Sequence, residues 1–349
     1  MRPLFHFRES TGATATATAV LDKKAQRRQA LFHEPMAQRV QRVAYGLAYL
    51  ILPKRIGTLP ALTWEVLASQ RQGGVIKPTE ADIRPNPEGF AGVARDVTPQ
   101  SLLAAHRDGY FPQAHMGPLK WWTREQRYVQ ILAERRIPKT LRYEMRKSRL
   151  IVTFDQAFDS VIKACAEPRP GRPKLTWITP NIMHLYAALA DAGHAHSFEV
   201  WDDAGELVGG GYGVAIGRVF VTESLFSRAS SASKMGMQAL NHHLALWGFI
   251  LNDVKDFAPH FASTGSRHLS RADYSAVLGE YGDAALPANP RVVPWRASAT
   301  LADIVASMPT AEIQDSQPRA PKPSKVSSKA ARPPRPAKPQ APDGAPDSA

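Results

Sequence analysis

Apolar residues recur at helical spacing over residues 36–50, with Met36, Val40, Val43, Leu47 and Leu50 near one face. The pattern predicts an amphipathic helix whose apolar face docks on the core; a membrane surface or partner helix is the alternative. A second stripe, Phe154, Phe158, Val161, Ile162 and Cys165, predicts a helix through FDQAFDSVIKACAE. Further on, Pro180 suits a first helical turn, Ile182, Leu185, Tyr186 and Leu189 make a face, and Gly193 closes the helix. The pattern then changes. AHSFEVW (195–201) and ELVGGGYGVAIG (206–217) read as strands joined by the turn Asp202-Asp203-Ala204-Gly205, with RVFVTESLFS (218–227) as a third. A long helix through SASKMGMQALNHHLALWG (231–248) and a short strand, FILNDV (249–254), complete the run. Upstream, Pro138 opens a helix that sets Lys139, Arg142, Arg146 and Arg149 on one face, with Leu141 and Met145 on another. Helices, an antiparallel meander, a helix and a strand make an α+β layer arrangement.

Composition adds a core and a charge distribution. The chain has 349 residues, 44% of them apolar, enough for one large domain or two modest ones. Its net charge of +13 sits mainly at the ends. Residues 1–80 carry twelve Lys/Arg against five Asp/Glu, and residues 314–349 carry seven against three, leaving a net +2 in between. The last stretch, rich in Pro, Ala, Lys, Arg and Ser, is expected to be a disordered, solvating tail. The expected layout is an N-terminal extension over 1–80, a small domain with the basic helix over 81–150, a larger domain over 151–300, and the tail over 314–349. The single cysteine, Cys165, excludes an internal disulfide and a multi-cysteine metal site, and fits a reducing, cytoplasmic compartment. The longest apolar run, Val43 to Leu52, is ten residues and too short to span a bilayer, and the start lacks a secretory signal pattern.

The candidate chemistry lies in an ordered series of short signatures. They are Gly109-Tyr110-Phe111-Pro112, Trp121-Trp122, Thr176-Trp177-Ile178, Gly193-His194-Ala195-His196-Ser197 and Glu199-Val200-Trp201. Leu207-Val208-Gly209-Gly210 follows, leading to Tyr212-Gly213-Val214, then Glu223-Ser224-Leu225-Phe226-Ser227, Ala232-Ser233-Lys234, Asp253 and Arg271-Ala272-Asp273-Tyr274. In this order and spacing, residues 85–280 resemble the leucyl/phenylalanyl-tRNA–protein transferases. The resemblance implies an acetyltransferase-like C-terminal domain beside a smaller N-terminal α/β domain. It also implies the reaction: leucine or phenylalanine moves from its tRNA ester to the α-amine of a protein beginning with Arg or Lys, marking it for N-end-rule degradation. The implied partners are aminoacyl-tRNA and proteins with basic N-termini; separately, the chain is expected to act as a monomer. The ester is already activated, so neither metal nor other cofactor is expected. The protein has to orient an amine on a carbonyl, keep it neutral and stabilise the oxyanion.

By family position Glu223 and Asp253 are the acidic pair, which would attract a basic N-terminal side chain or assist proton removal. Trp177 matches the family's stacking tryptophan for the 3′ adenosine. Phe111, Tyr212, Ser224 and Phe226 fall in the substrate-site signatures, and the family places a basic patch where Lys139, Arg142, Arg146 and Arg149 lie, suited to phosphates. Several departures fall inside the site. Gln113 stands where the family has tryptophan, which removes one face of the adenine sandwich. Gly211 replaces a bulky residue, predicting a wider amino-acid pocket. Lys255 replaces glutamine two residues after Asp253; charged, it would pair with Asp253 or Glu223 and repel a basic acceptor. A neutral Lys255 could instead act as a base, joining Glu223 and Asp253 in the catalytic set. Two other readings use the same scaffold. One is an acyltransferase with another donor, although Ser227-Arg228-Ala229-Ser230-Ser231, the nearest phosphate-cradling turn, has no glycine. The other is a catalytically silent tRNA-binding homologue.

Overall fold

A computed structural model of the chain describes residues 22–50, 57, 59–114, 117–168, 175–257, 259–289 and 293–308. The tail over 314–349 and the Thr/Ala run near the start lie outside the described residues. The fold is mixed α+β. Its centre is the meander read from the sequence: β6 (Ala195–Trp201), β7 (Leu207–Ile216) and β8 (Val219–Ser227) pair antiparallel. The β6–β7 turn is set by Asp202, whose Oδ1 accepts from the amides of Ala204 and Glu206, with Gly205 at φ +77. A crossover helix, Ala232–Trp247, then returns the chain so that β9 (Leu251–Asp253) pairs parallel to β8.

Four more strands extend the sheet to eight. They are β4 (Gln126–Ile131), β5 (Ile151–Phe154), β10 (Arg267–Ser270) and β11 (Ser298–Thr300), in the order β10-β4-β9-β8-β7-β6-β5-β11. A separate three-stranded antiparallel sheet holds β1 (Phe90–Val93), β3 (Lys120–Trp122) and β2 (Phe111–Gln113) in that order.

In chain order the helices are α1 (22–31), α2 (Met36–Leu50), α3 (Leu59–Arg71), α4 (Pro99–Arg107), α5 (Lys139–Lys147), α6 (Phe158–Ala166), α7 (Pro180–Asp191), α8 (Ala232–Trp247), α9 (Arg271–Tyr281) and α10 (Leu301–Ser307). Helices cover both faces of the large sheet. On one, α6 and α7 bury Phe158, Val161, Ile162, Ile182 and Leu189 in a cluster with Tyr212, Val214 and Val221. On the other, α8 packs Leu240 and Leu244 with Phe198, Val200 and Phe220. Gly236 lets α8 come this close, since a Cβ there would lie 2.6 Å from both Phe198 and Val200.

Three expectations change. The helix over the FDQAFDSVIKACAE stretch starts at Phe158, and Phe154 belongs to β5, the two separated by Asp155 at φ +54. The basic helix ends at Lys147, so Arg149 lies past its end. The α2 stripe does not dock: Met36, Val40, Val43 and Leu47 are all exposed. The preceding segment docks instead. Arg28 of α1 pairs with Asp159 at 2.9 Å and with Asp191, and Phe32 is buried, its ring edge-on to His184. Among the described residues no helix is long and apolar enough to cross a membrane.

Candidate active site

Glu223 owes its orientation to a break in register. Tyr212 pairs with Ser224, but Gly213 pairs with Thr222, so Glu223 is the extra residue of a β-bulge. Such a bulge re-aims a side chain relative to simple alternation. It turns the Glu223 carboxylate inward, where only 1% of the side chain is exposed. Lys255 Nζ lies 2.8 Å from Glu223 Oε1 and donates to Thr222 O at 2.9 Å. His106 Nε2 lies 2.9 Å from the same Oε1, and His106 Nδ1 donates to Leu102 O at 2.8 Å. Burial alone pushes the Glu223 carboxyl up, but Lys255 and His106 outweigh it and hold it at about 2. The carboxylate is ionised at neutral pH.

Asp253 sits at the end of β9, fully buried. Its Oδ2 accepts from Arg127 Nη2 of β4 at 2.6 Å, and its Oδ1 accepts from the Lys255 amide at 2.8 Å. That second bond accompanies a left-handed backbone at Lys255, φ +65, unusual for a long side chain. Asp253 thus shapes the turn that aims Lys255 back at Glu223. The Phe111 ring lies against Lys255 Nζ and the Arg127 and Arg124 guanidinium carbons, 5.4, 5.2 and 5.0 Å from its centroid. Glu223, Asp253, Lys255 and Phe111 therefore come together.

His106 and Arg127 lie outside the candidates drawn from the sequence. The signal available for His106 was its place on the Leu102-Ala105-His106 stripe of a helix capped by Thr98. Arg127 carried none, because its role depends on β4 pairing with β9 across 126 residues of sequence.

The remaining site candidates spread over a neighbouring wall. Trp177, half-buried, lines a cavity of about 640 Å³ with Val97, Leu119, Thr179, Ile182 and Leu185. Tyr186 links this wall to the cluster, edge-on to Trp177 at 6.3 Å and to Tyr212 at 5.3 Å. Tyr186 and Tyr212 are fully buried, which pushes both phenols well above their ordinary range, with Glu223 adding to the effect. Gln113 sits at the end of β2, its carbonyl accepting from Trp122 Nε1 at 3.4 Å. Ser224 follows the bulge, and Phe226 is buried beneath the Arg228 guanidinium. No widened pocket exists at Gly211. A Cβ there would lie 2.3 Å from Leu225 Cδ2, 2.8 Å from Ser224 O and 2.9 Å from Phe198 Cε1, so neighbours already fill the space. On α5, Lys139 and Arg146 are exposed and Arg142 is half-buried, while Met145 anchors the helix in the core.

Residues 129–279 match the family model described as leucyl/phenylalanyl-tRNA protein transferase. A leucyl/phenylalanyl-tRNA–protein transferase of Pseudomonas fluorescens (strain SBW25) is 41% identical over 235 residues, 67% of this chain and 99% of the relative. The chain belongs to this transferase family. It is 40% identical to the transferase of Stutzerimonas stutzeri (strain A1501) over 237 residues, covering 68% of this chain and all of the relative. The one from Pseudomonas syringae pv. syringae (strain B728a) is 43% identical over 207 residues, 59% of this chain and 89% of the relative. The family-matched segment contains Glu223, Asp253 and Lys255, while His106 and Phe111 reach the same cluster from before it.

Proposed function

We propose that this chain is an aminoacyltransferase that moves leucine or phenylalanine from aminoacyl-tRNA to the N-terminal α-amine of an acceptor protein. The observation that carries this reading is the 41% identity to a leucyl/phenylalanyl-tRNA–protein transferase over 99% of that relative. On this reading residues 151–300 act as an acetyltransferase-like acyl-transfer domain, residues 81–150 as the small domain and residues 1–80 as an extension. The enzyme works in the cytoplasm as a monomer. Trp177 and its cavity receive the 3′ end of the tRNA, and Lys139, Arg142, Arg146 and Arg149 meet its phosphates.

The acceptor amine attacks the ester carbonyl, the new C–N bond forms, and the ribose oxygen leaves with the proton the amine gives up. Glu223, Asp253 and Lys255 supply the local field for that exchange. Lys255 also bears on the acceptor. Its ammonium occupies Glu223 Oε1 from inside the protein, so a basic N-terminal side chain meets a carboxylate already paired and a like charge beside it. Two unit charges 4 Å apart in water interact by about 1 kcal/mol, roughly a fivefold bias against Arg and Lys acceptors.

Transfer from charged tRNA-Leu and tRNA-Phe to a panel of N-terminal peptides tests the reading. Wild type is expected to transfer both amino acids, and Lys255→Gln is expected to shift preference about fivefold toward Arg- and Lys-peptides. Bound tRNA with no transfer to any peptide sinks the enzymatic reading. Unchanged peptide preference in Lys255→Gln sinks the acceptor effect alone.

A further inference from the structure

His106 and Glu223 meet in a contact that one neutral imidazole cannot make. Both ring nitrogens of His106 face acceptors, Leu102 O at 2.8 Å and Glu223 Oε1 at 2.9 Å. A neutral imidazole has a single N–H, so a second hydrogen must lie between His106 Nε2 and Glu223 Oε1. Both side chains are 1% exposed, so water does not resolve the conflict. Lys255 donates to the same Oε1.

The other oxygen is in a different position. Glu223 Oε2 is buried and makes no hydrogen bond, and the same holds for the hydroxyls of Tyr186 and Tyr212. Tyr186 is near enough to Glu223 for both its charge and a long hydrogen-bonding contact to raise the phenol. The charged and titratable groups around the contact are Lys255 after β9, Arg127 on β4, Tyr186 on α7 and Tyr212 on β7.

We propose that His106 is a positioning residue for acyl transfer: it shares a proton with Glu223 Oε1 beside Lys255, fixing the carboxylate so that Oε2 is left outside both contacts. The role in transfer rests on the transferase reading above; the shared proton does not. Lys255 alone leaves the carboxylate free to rotate about its terminal torsion, which is broad for glutamate. A second donor to the same oxygen, held by its own bond to the Leu102 carbonyl, removes that freedom.

Two variants and one spectrum test this. His106→Leu removes the donor. His106→Gln keeps an N–H at about the reach of Nε2. In transfer from Phe-tRNA to a peptide, His106→Leu is expected to lose about tenfold or more in kcat, with the KM for aminoacyl-tRNA changed by less than about twofold. His106→Gln is expected to recover to within about threefold of wild type. In wild type with ¹⁵N-labelled histidine at pH 7, the His106 signals, assigned by their loss in His106→Gln, should report hydrogens at both ring nitrogens. Glu223→Gln should return the ring to the neutral form.

A neutral His106 ring in wild type overturns the proposal. So does a folded His106→Leu with unchanged kcat, or a His106→Gln as impaired as His106→Leu. If His106→Leu does not fold, His106→Gln and the spectrum decide: a glutamine variant losing about tenfold or more, or a neutral ring, overturns it. A wild type that transfers nothing, with both ring nitrogens protonated, removes the role in transfer through failure of the transferase reading and leaves the shared proton standing.

Discussion

Asp253 and Arg127 are buried as a pair, with side chains 0% and 2% exposed. Nε and Nη1 of Arg127 make no hydrogen bonds, and the guanidinium rests instead on Tyr274, 4.5 Å from the ring centroid. Removing either partner strands the other in a medium that cannot solvate it. Arg127→Met is expected to cost about 3–5 kcal/mol in urea unfolding, as is Asp253→Ala, while replacing both should cost less than the sum. Additive costs would mean the two charges do not see each other. Lys255 makes a gentler case, because His106 still holds Glu223 when Lys255 is gone. In Lys255→Met the Glu223 carboxyl should titrate above its present value of about 2, readable by ¹³C chemical shift against pH. An unmoved titration would show that Lys255 does not set the charge state of Glu223.

Phe32 and the α2 stripe make opposite demands on the N-terminal region. Phe32 is 1% exposed within the main core cluster, so Phe32→Ala is expected to cost about 3–5 kcal/mol. Val43 and Leu47 are 48% and 55% exposed, so Val43→Ser and Leu47→Ser should each change stability by no more than about 0.5 kcal/mol. A large cost on α2 with little at Phe32 would reverse the docking order of these elements. The sequence pattern marks α2 as having an apolar face, but such a pattern does not say what covers the face. Elsewhere local periodicity carried further. Helices α7 and α8 and strands β6, β7 and β8 were legible because each runs for seven or more residues between clear turn signals. Strands β2, β3 and β11 span three residues each, and β4 and β10 find their places through partners far along the chain. The site divides in the same way. Glu223, Asp253 and Lys255 were singled out by the family resemblance, and the structure brings them together, whereas the His106 contact spans 117 residues and the bulge at Glu223 depends on how two strands register.

Acid should weaken the whole molecule in two overlapping stages, each with a different residue behind it. His242 on α8 is 2% exposed, its Nδ1 makes no hydrogen bond, and its Nε2 lies 3.1 Å from Ser307 Oγ. Burial, helped by His243 and Arg135, pulls its pKa from 6.5 down to about 4. Between those values the unfolded chain binds a proton that the folded one refuses, so stability falls as pH drops from about 6.5 to about 4. Glu223 then takes over. Its folded pKa of about 2 lies below the ordinary 4.5, so its contribution is present above pH 4.5 and is lost on the way down to about pH 2. The drop attributable to His242 is on the order of 3 kcal/mol at most, at 1.36 kcal/mol per pKa unit. Urea midpoints between pH 7 and 4.5 should therefore decline in wild type and decline less in His242→Gln. Glu223→Gln, by contrast, should flatten the loss below pH 4.5. An equally steep decline above pH 4.5 in wild type and His242→Gln would assign that window to some other group.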